Sequence, residues 1–215
     1  LALRDGAPGR AVAALTRADA LVPGEAGLRC NLAIALGEAG RGDEALALLD
    51  EILTGDPRHA AALYNRAVLL RRSGEGEAAL AALERGLEAQ PDYGKAQAER
   101  AHLLLELERF AEALEAYGAL GDQLGRARAL QGLGRYGEAA AAYGACPELD
   151  PESRLERARC LQESGDLEGA LALYRALVAR DRAAYAAVAK ALTTASKGSL
   201  FLKPSELARL LRDHG

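Results

Sequence analysis

Residues 26–59 read AGLRCNLAIALGEAGRGDEALALLDEILTGDPRH, and this stretch decides the fold. Its apolar residues recur at the period of about 3.6 residues that marks amphipathic helices. Gly40 stands just past the first apolar run, where a left-handed residue ends a helix cheaply only if it is glycine. Pro57 follows the second run and cannot continue a helix. The stretch therefore predicts two helices joined by a tight turn.

The same pattern recurs along the chain. Pro23, Pro57 and Pro91 are spaced by 34 residues. Alanines 12 residues apart form five pairs: Ala33 and Ala45, Ala67 and Ala79, Ala101 and Ala113, Ala127 and Ala139, and Ala158 and Ala170. A turn glycine stands inside four of the pairs, at Gly40, Gly74, Gly134 and Gly165, and Glu108 is the exception. Because one hairpin cannot bury its apolar stripe alone, the repeats are expected to stack into an all-α solenoid.

Composition narrows the class of protein. Half of the 215 residues are hydrophobic, but the aromatic residues are only 7 Tyr and 2 Phe. This excludes a disordered chain and disfavours a β-sandwich or barrel, which draws on β-branched and aromatic residues. The net charge of -4 disfavours nucleic-acid binding, because proteins that neutralise many phosphates are usually basic. No uncharged stretch reaches the length of a membrane span, so no membrane insertion is expected.

The cysteines and the start of the chain bear on its compartment and origin. Cys30, Cys146 and Cys160 fit neither a disulfide framework nor a zinc pattern, which favours buried thiols and a cytoplasmic location. The chain begins at Leu1 and has no Met, which indicates a processed or excised piece and leaves a targeting segment outside it open. Only 4 of the 27 basic residues are Lys. This bias toward Arg, together with the bias toward Ala and Gly, indicates a GC-rich genome and thereby favours a bacterial origin.

At this point the sequence resembles a known family. The frame of Leu32, Ala33, Leu36, Gly40, Ala45, Leu49 and Pro57 is similar to the tetratricopeptide repeat. The Trp typical of that frame is absent, and Arg29, Leu63 and Gln97 stand in its place. The resemblance implies a right-handed superhelical solenoid of antiparallel helix pairs.

The repeats divide the chain as one domain. The predicted order is a half repeat at 1–25, repeats at 26–59, 60–93, 94–119 (shortened), 120–150 and 151–181, and a partial repeat at 182–215. Gly6, Ala11, Leu15 and Pro23 place the half repeat in register. A terminal helix over 204–212 is expected to cover the last apolar face. The short third repeat predicts either a rigid kink or a hinge at 117–126.

No residue pattern indicates catalysis. The string GLGRYG at 132–137 matches the dinucleotide-binding G-x-G-x-x-G, but it falls on a turn between two predicted helices with no strand before it. His59, His102 and His214 lack partners at metal-ligand spacing, and the carboxylates are scattered over helix surfaces. We expect no catalytic residue, metal or cofactor.

The resemblance also implies a binding surface. In the family, the first helix of each repeat lines the inner wall. The positions carried over as peptide- or protein-binding are Asn31, Tyr64, Asn65, Val68, Arg72, Lys95, Glu99, His102, Leu124, Arg128 and Arg159.

The family has two known binding patterns, and these residues resemble one of them more than the other. The carboxylate clamp has Asn65 and Lys95 at two of its places, but Cys30, Ile34 and Glu99 occupy the others, which disfavours it. Asn31 and Asn65 resemble the first rungs of an asparagine ladder, whose amides bind a peptide backbone. A solvated role for both asparagines stays open.

Basic side chains also follow the inner wall, at Arg71, Arg72, Lys95, Arg128 and Arg159. They either bind an acidic partner segment or pair with neighbouring glutamates, and both alternatives stay open.

The predicted function is a non-catalytic scaffold that binds a peptide or a partner-protein segment in a concave groove. One alternative is a recognition region excised from a larger enzyme, and another is a factor in bacterial envelope or appendage assembly. Self-association through the N-terminal half repeat is also expected, because an uncapped apolar face seeks cover.

Overall fold

The computed structural model describes residues 2–194 together with residues 209 and 211. This part of the chain is all helical, without a strand, which confirms the predicted fold class. Residues 1–107 form one compact unit, called unit 1, and residues 108–215 form a second, called unit 2.

Unit 1 contains α1 (Ala2–Leu21), α2 (Ala26–Glu38), α3 (Gly42–Gly55), α4 (Ala60–Arg72), α5 (Gly76–Ala89) and α6 (Gly94–Glu106). Each helix packs against the next, and α4 also contacts both α2 and α6. The first helices of successive hairpins therefore lie side by side.

Unit 2 contains α7 (Phe110–Leu120), α8 (Gln123–Gly132), α9 (Tyr136–Gly144), α10 (Pro151–Ser164), α11 (Leu167–Arg180), a 3-10 turn (Arg182–Ala184) and α12 (Tyr185–Thr194). Here α8 packs on α7 and α9, and α10 packs on α9 and α11. Neighbours in sequence are again neighbours in space, as the stacking of repeats requires.

The paired alanines form the centre of each hairpin. In the first hairpin, Ala33 and Ala45 have no exposed surface, and neither does Leu49 one turn further along the second helix. In unit 2 this large residue is a tyrosine, and Tyr143 and Tyr174 are buried at the equivalent places. A methyl group is the largest side chain that such a site accepts without separating the two helices.

Most turns between paired helices use glycine in the left-handed region. Gly74 has a φ of 84°, and the other three turn glycines lie at positive φ as well. Glu108 takes the same conformation with a φ of 57°, the one positive φ of a non-glycine residue in the described part of the chain. A side chain in this region costs about 1–2 kcal/mol, so the turn before α7 is strained.

The segment 117–126 is a capped turn. Gly121 ends α7 in the left-handed conformation, and the side chain of Asp122 accepts a hydrogen bond from the backbone N–H of Gly125 at 3.0 Å. The Tyr117 ring packs directly over Gly125, where a Cβ would lie 2.1 Å from the ring. These contacts favour the rigid kink over the hinge.

The predictions for the two ends of the chain have different outcomes. The predicted role of Gly6 is wrong, and most of the predicted C-terminal helix lies outside the described residues. Gly6 does not end a helix, because α1 continues through Gly6 and Pro8. The predicted helix over 204–212 lies outside the described residues, apart from residues 209 and 211. Of these, Leu211 is buried with Tyr174 and Leu192 in the core of unit 2.

Replacing Glu108 with glycine is expected to stabilise the protein, because it removes the left-handed side chain from the turn before α7. The free energy of unfolding is expected to rise by about 0.5–1 kcal/mol. This is less than the relieved strain, because glycine also increases the backbone entropy of the unfolded chain. Thermal denaturation followed by circular dichroism measures it as a higher Tm. The matched control is Gly74→Glu, which adds the same strain to the preceding repeat and lowers the Tm. An unchanged or lower Tm for Glu108→Gly contradicts the strain.

Replacing Gly132 with alanine is expected to destabilise unit 2, because a Cβ there would lie 2.4 Å from the ring of Phe110. Overpacking of this kind costs about 1–3 kcal/mol. Gly118→Ala is the control, since a Cβ on this α7 residue meets nothing within 4 Å and alanine favours a helix. The two variants are expected to shift the Tm in opposite directions, and a shift in the same direction refutes the packing argument.

Candidate functional site

The first helices of unit 1 bring eight of the predicted binding residues onto one layer. Asn31 lies on α2, and Lys95, Glu99 and His102 lie on α6. The α4 residues are Tyr64, Asn65, Val68 and Arg72. Because α4 contacts both α2 and α6, the helices that carry these side chains are neighbours, and we call this set of eight residues the unit 1 face.

An aromatic pair lies on the unit 1 face. The rings of Tyr64 and Tyr93 meet edge to face, with centroids 5.4 Å apart. Burial raises the pKa of both tyrosines, so both hydroxyls stay protonated at neutral pH. Sequence reasoning missed Tyr93, although it stands two residues after Pro91, at the position where Glu25 and His59 cap the preceding first helices. Tyr93 makes no side-chain cap and turns its ring to Tyr64 instead.

The two asparagines of the predicted ladder are not equivalent. Asn31 is exposed, whereas Asn65 is half-buried and hydrogen-bonds the thiol of Cys30. Burial raises the pKa of the Cys30 thiol, and the Asn65 hydrogen bond partly offsets that rise. Asn31 therefore presents its amide to solvent, while the amide of Asn65 is partly engaged.

An ion-pair cluster joins α4 to α6. The Arg71 guanidinium lies 2.7 Å from a carboxylate oxygen of Glu99 and 2.8 Å from one of Glu106. Partial burial by itself lowers the pKa of Arg71, but the two carboxylates outweigh burial and the pKa is raised. Arg71 thus pairs with the neighbouring glutamates. By contrast, Arg72 and Lys95 are exposed and pair with no carboxylate among the described residues.

Unit 2 brings two of the three remaining predicted residues, Arg128 and Arg159, to a cleft between α8 and α10, whereas Leu124 packs against the core of the unit. Leu124 and Arg128 lie on α8, and Arg159 lies on α10. The cleft has a volume of about 340 Å³ and is lined by Arg128, Gln131, Gly132, Tyr136, Arg159, Cys160 and Glu163. Arg159 pairs with Glu156 of its own helix at 2.9 Å, and Gln131 donates a hydrogen bond to the same carboxylate at 2.6 Å.

Two tyrosine–glutamine hydrogen bonds lie in unit 2, and the first of them holds Gln131 of this cleft. Tyr143 donates to Gln131, and Tyr174 donates to Gln162, each at 2.9 Å. Burial raises the pKa of Tyr143 to about 12, and Arg128 beside its hydroxyl partly offsets the rise. Sequence reasoning missed these pairs, although a glutamine stands 12 residues before the tyrosine in both repeats.

The features read as structural in the sequence have structural roles. Gly132 packs against Phe110, and Gly134 takes a φ of 71° in the turn before α9. All three cysteines are free thiols. Within the described ranges, no group of His, Cys, Asp and Glu residues is arranged to hold a metal ion. Of the helices described, none combines the length and the apolar character that crossing a membrane requires.

Comparison with solved structures shows the same fold. MamA 41-end from Desulfovibrio magneticus is 19% identical, with a TM-score of 0.65 over 74% of this chain and 97% of that chain. A tetratricopeptide repeat protein from Parabacteroides merdae is 21% identical, with a TM-score of 0.63 over 96% of this chain and 91% of that chain. The pilF protein of Pseudomonas aeruginosa is 19% identical, with a TM-score of 0.66 over 84% of this chain and 87% of that chain.

Comparison of the sequence gives the family. No curated protein matches the chain. One family model described as tetratricopeptide repeat matches residues 2–67 and 38–98, and another with the same description matches residues 124–196. These matches span well over half of the chain, and the chain belongs to the tetratricopeptide repeat family.

Proposed function

We propose that the protein is a non-catalytic scaffold that binds an extended peptide segment of a partner protein along its first helices. The observation that carries this proposal is the unit 1 face. Its side chains lie side by side on α2, α4 and α6, and most of them are exposed or half-buried rather than used in the core. Tetratricopeptide repeats are generally non-catalytic protein-interaction modules, which supports the assignment.

The unit 1 face offers three kinds of contact to such a segment. The exposed amide of Asn31 has a donor and an acceptor for a peptide bond. The half-buried Val68 of this face provides apolar surface, and Ile34 of α2, which is not one of its eight residues, is 43% exposed and adds to that surface. Arg72 and Lys95 carry charges that no described carboxylate neutralises, which favours a segment with acidic residues.

The proposed compartment is the cytoplasm. The three free thiols support it, since disulfides predominate among proteins of oxidising compartments.

We also propose self-association through α1. Leu21 is 83% exposed and Val22 is 58% exposed, and both stand where α1 ends. Multi-angle light scattering at increasing concentration is expected to show a mass above that of the single chain. Replacing both residues with Glu is expected to return the mass to that of one chain, whereas Leu133→Glu, on another exposed apolar residue, leaves the association intact. A single-chain mass at every concentration overturns self-association.

Selection from a library of short unstructured peptides tests the scaffold function. We expect peptides that bind the full chain and lose affinity when Arg72 is changed to Gln or Ile34 to Ser. The loss is about threefold to fivefold per exposed charge, as for exposed ion pairs. Arg41→Gln is the matched control, because Arg41 is exposed at the start of α3 and pairs only with Glu44. If the library yields no binder, or if the control variant weakens binding equally, the proposal is wrong.

A further inference from the structure

One register position of the first helices changes its chemistry along the chain. It is the residue directly after the first alanine of each pair, and in successive repeats it is Ile34, Val68, His102, Arg128 and Arg159. In α12, Leu192 is fully buried, and the position two residues before it, Lys190, has the same register. Arg128, Arg159 and Lys190 are all exposed and all belong to unit 2, and we call them the basic column.

A hydrogen bond and a shared core cluster connect the first helices that carry the basic column. The hydrogen bond from Gln131 to Glu156 joins α8 to α10 at 2.6 Å. In turn, Ala158 of α10 is buried in one core cluster with Val188 and Leu192 of α12. Because the three cations share a register, they follow one another across the three helices on the same side.

The charges of the basic column are available to a ligand. Arg128 forms no ion pair with a described carboxylate and lies beside the neutral hydroxyl of Tyr143. Arg159 pairs with Glu156 on its own helix, but the Arg159 side chain is 50% exposed, and an exposed pair of this kind is worth only about 0.2–1 kcal/mol. Glu156 also keeps a second partner, Gln131, if Arg159 turns away.

We propose that the basic column binds a partner segment in extended conformation whose acidic side chains recur at every third position. This inference rests on the proposed function and adds the chemistry of the partner. Packed helices lie about 8–10 Å apart, and an extended chain advances about 3.3 Å per residue. Three residues of peptide therefore span the distance from one cation to the next. Arginine suits this role, because its planar guanidinium binds a carboxylate through two parallel hydrogen bonds.

The surroundings of the basic column favour separate carboxylates over a nucleic-acid backbone. Glu156 and Glu163 lie on α10 within one helical turn of Arg159 on either side. A phosphate backbone has closely spaced charges and would face both glutamates, whereas a peptide with two uncharged residues between its acids avoids them. The net charge of -4 also disfavours a nucleic-acid ligand.

Fluorescence anisotropy with synthetic peptides tests the inference on the full chain. The probe is a labelled Gly/Ser peptide with three Glu residues at every third position. One comparison peptide has the same three Glu residues at every second position, and another has Gln in their place. We expect the first peptide to bind about tenfold more tightly than the second, and the Gln peptide not to bind, because only the first aligns each carboxylate with a cation.

Protein variants then locate the site. Arg128→Gln and Lys190→Gln are each expected to weaken binding by about threefold to fivefold, and the variant with all three cations of the column changed to Gln is expected to abolish it. Arg135→Gln is the matched control, because Arg135 is an exposed cation at the start of α9 that pairs only with Glu138. Circular dichroism and Tm confirm that each variant is folded, and the exposed positions of the four residues favour this outcome.

The outcomes separate this inference from the proposed function. Equal affinity for the two Glu spacings, or equal weakening by Arg135→Gln, overturns the inference. Tighter binding of a single-stranded RNA that competes with the peptide overturns it in favour of nucleic acid. If the peptide library yields binders that depend on Arg72 but carry no acidic residues at every third position, the proposed function stands and only this inference fails.

Discussion

Each hairpin depends on a small residue at the place where its two helices meet. Ala33 and Ala45 have no exposed surface, and Leu49 is completely buried beside them. A larger side chain at either alanine would push the helices apart and expose the leucine to water. Every hairpin also needs its neighbours to bury the rest of its apolar surface. A hairpin with separated helices would therefore also fail to pack against the hairpins on either side of it.

The same constraint divides the residues of a first helix into those that hold the hairpin together and those that are free of this role. Positions that face the partner helix are restricted to Ala, Leu and Tyr, whereas the residue next to the first alanine points away from the hairpin and is free to vary. It is Ile34, Val68 and His102 in unit 1, but Arg128 and Arg159 in unit 2. A single backbone pattern thereby presents different side chains at the same position in the two units.

Glycine has two different tasks in this chain, and they are hard to distinguish by spacing. Gly134 is needed for its positive φ, whereas Gly132, two residues earlier, is needed because the ring of Phe110 lies over it. Together they produce a string that resembles a nucleotide-binding loop without being one. Glu108 takes the same left-handed conformation with a φ of 57°, so this turn forms even where glycine is missing.

By itself, the sequence determined the helix hairpins, their register and the alanines buried at their centres, because burial at a helical period and a glycine at most turns leave a direct trace in spacing. The tertiary structure alone decided which polar side chains are already paired. Arg71 reaches Glu99 and Glu106 of the next hairpin, and Asn65 reaches Cys30 of the previous one, while Arg128 meets no described carboxylate. These differences depend on side-chain distances between hairpins, and no spacing along the chain encodes such distances.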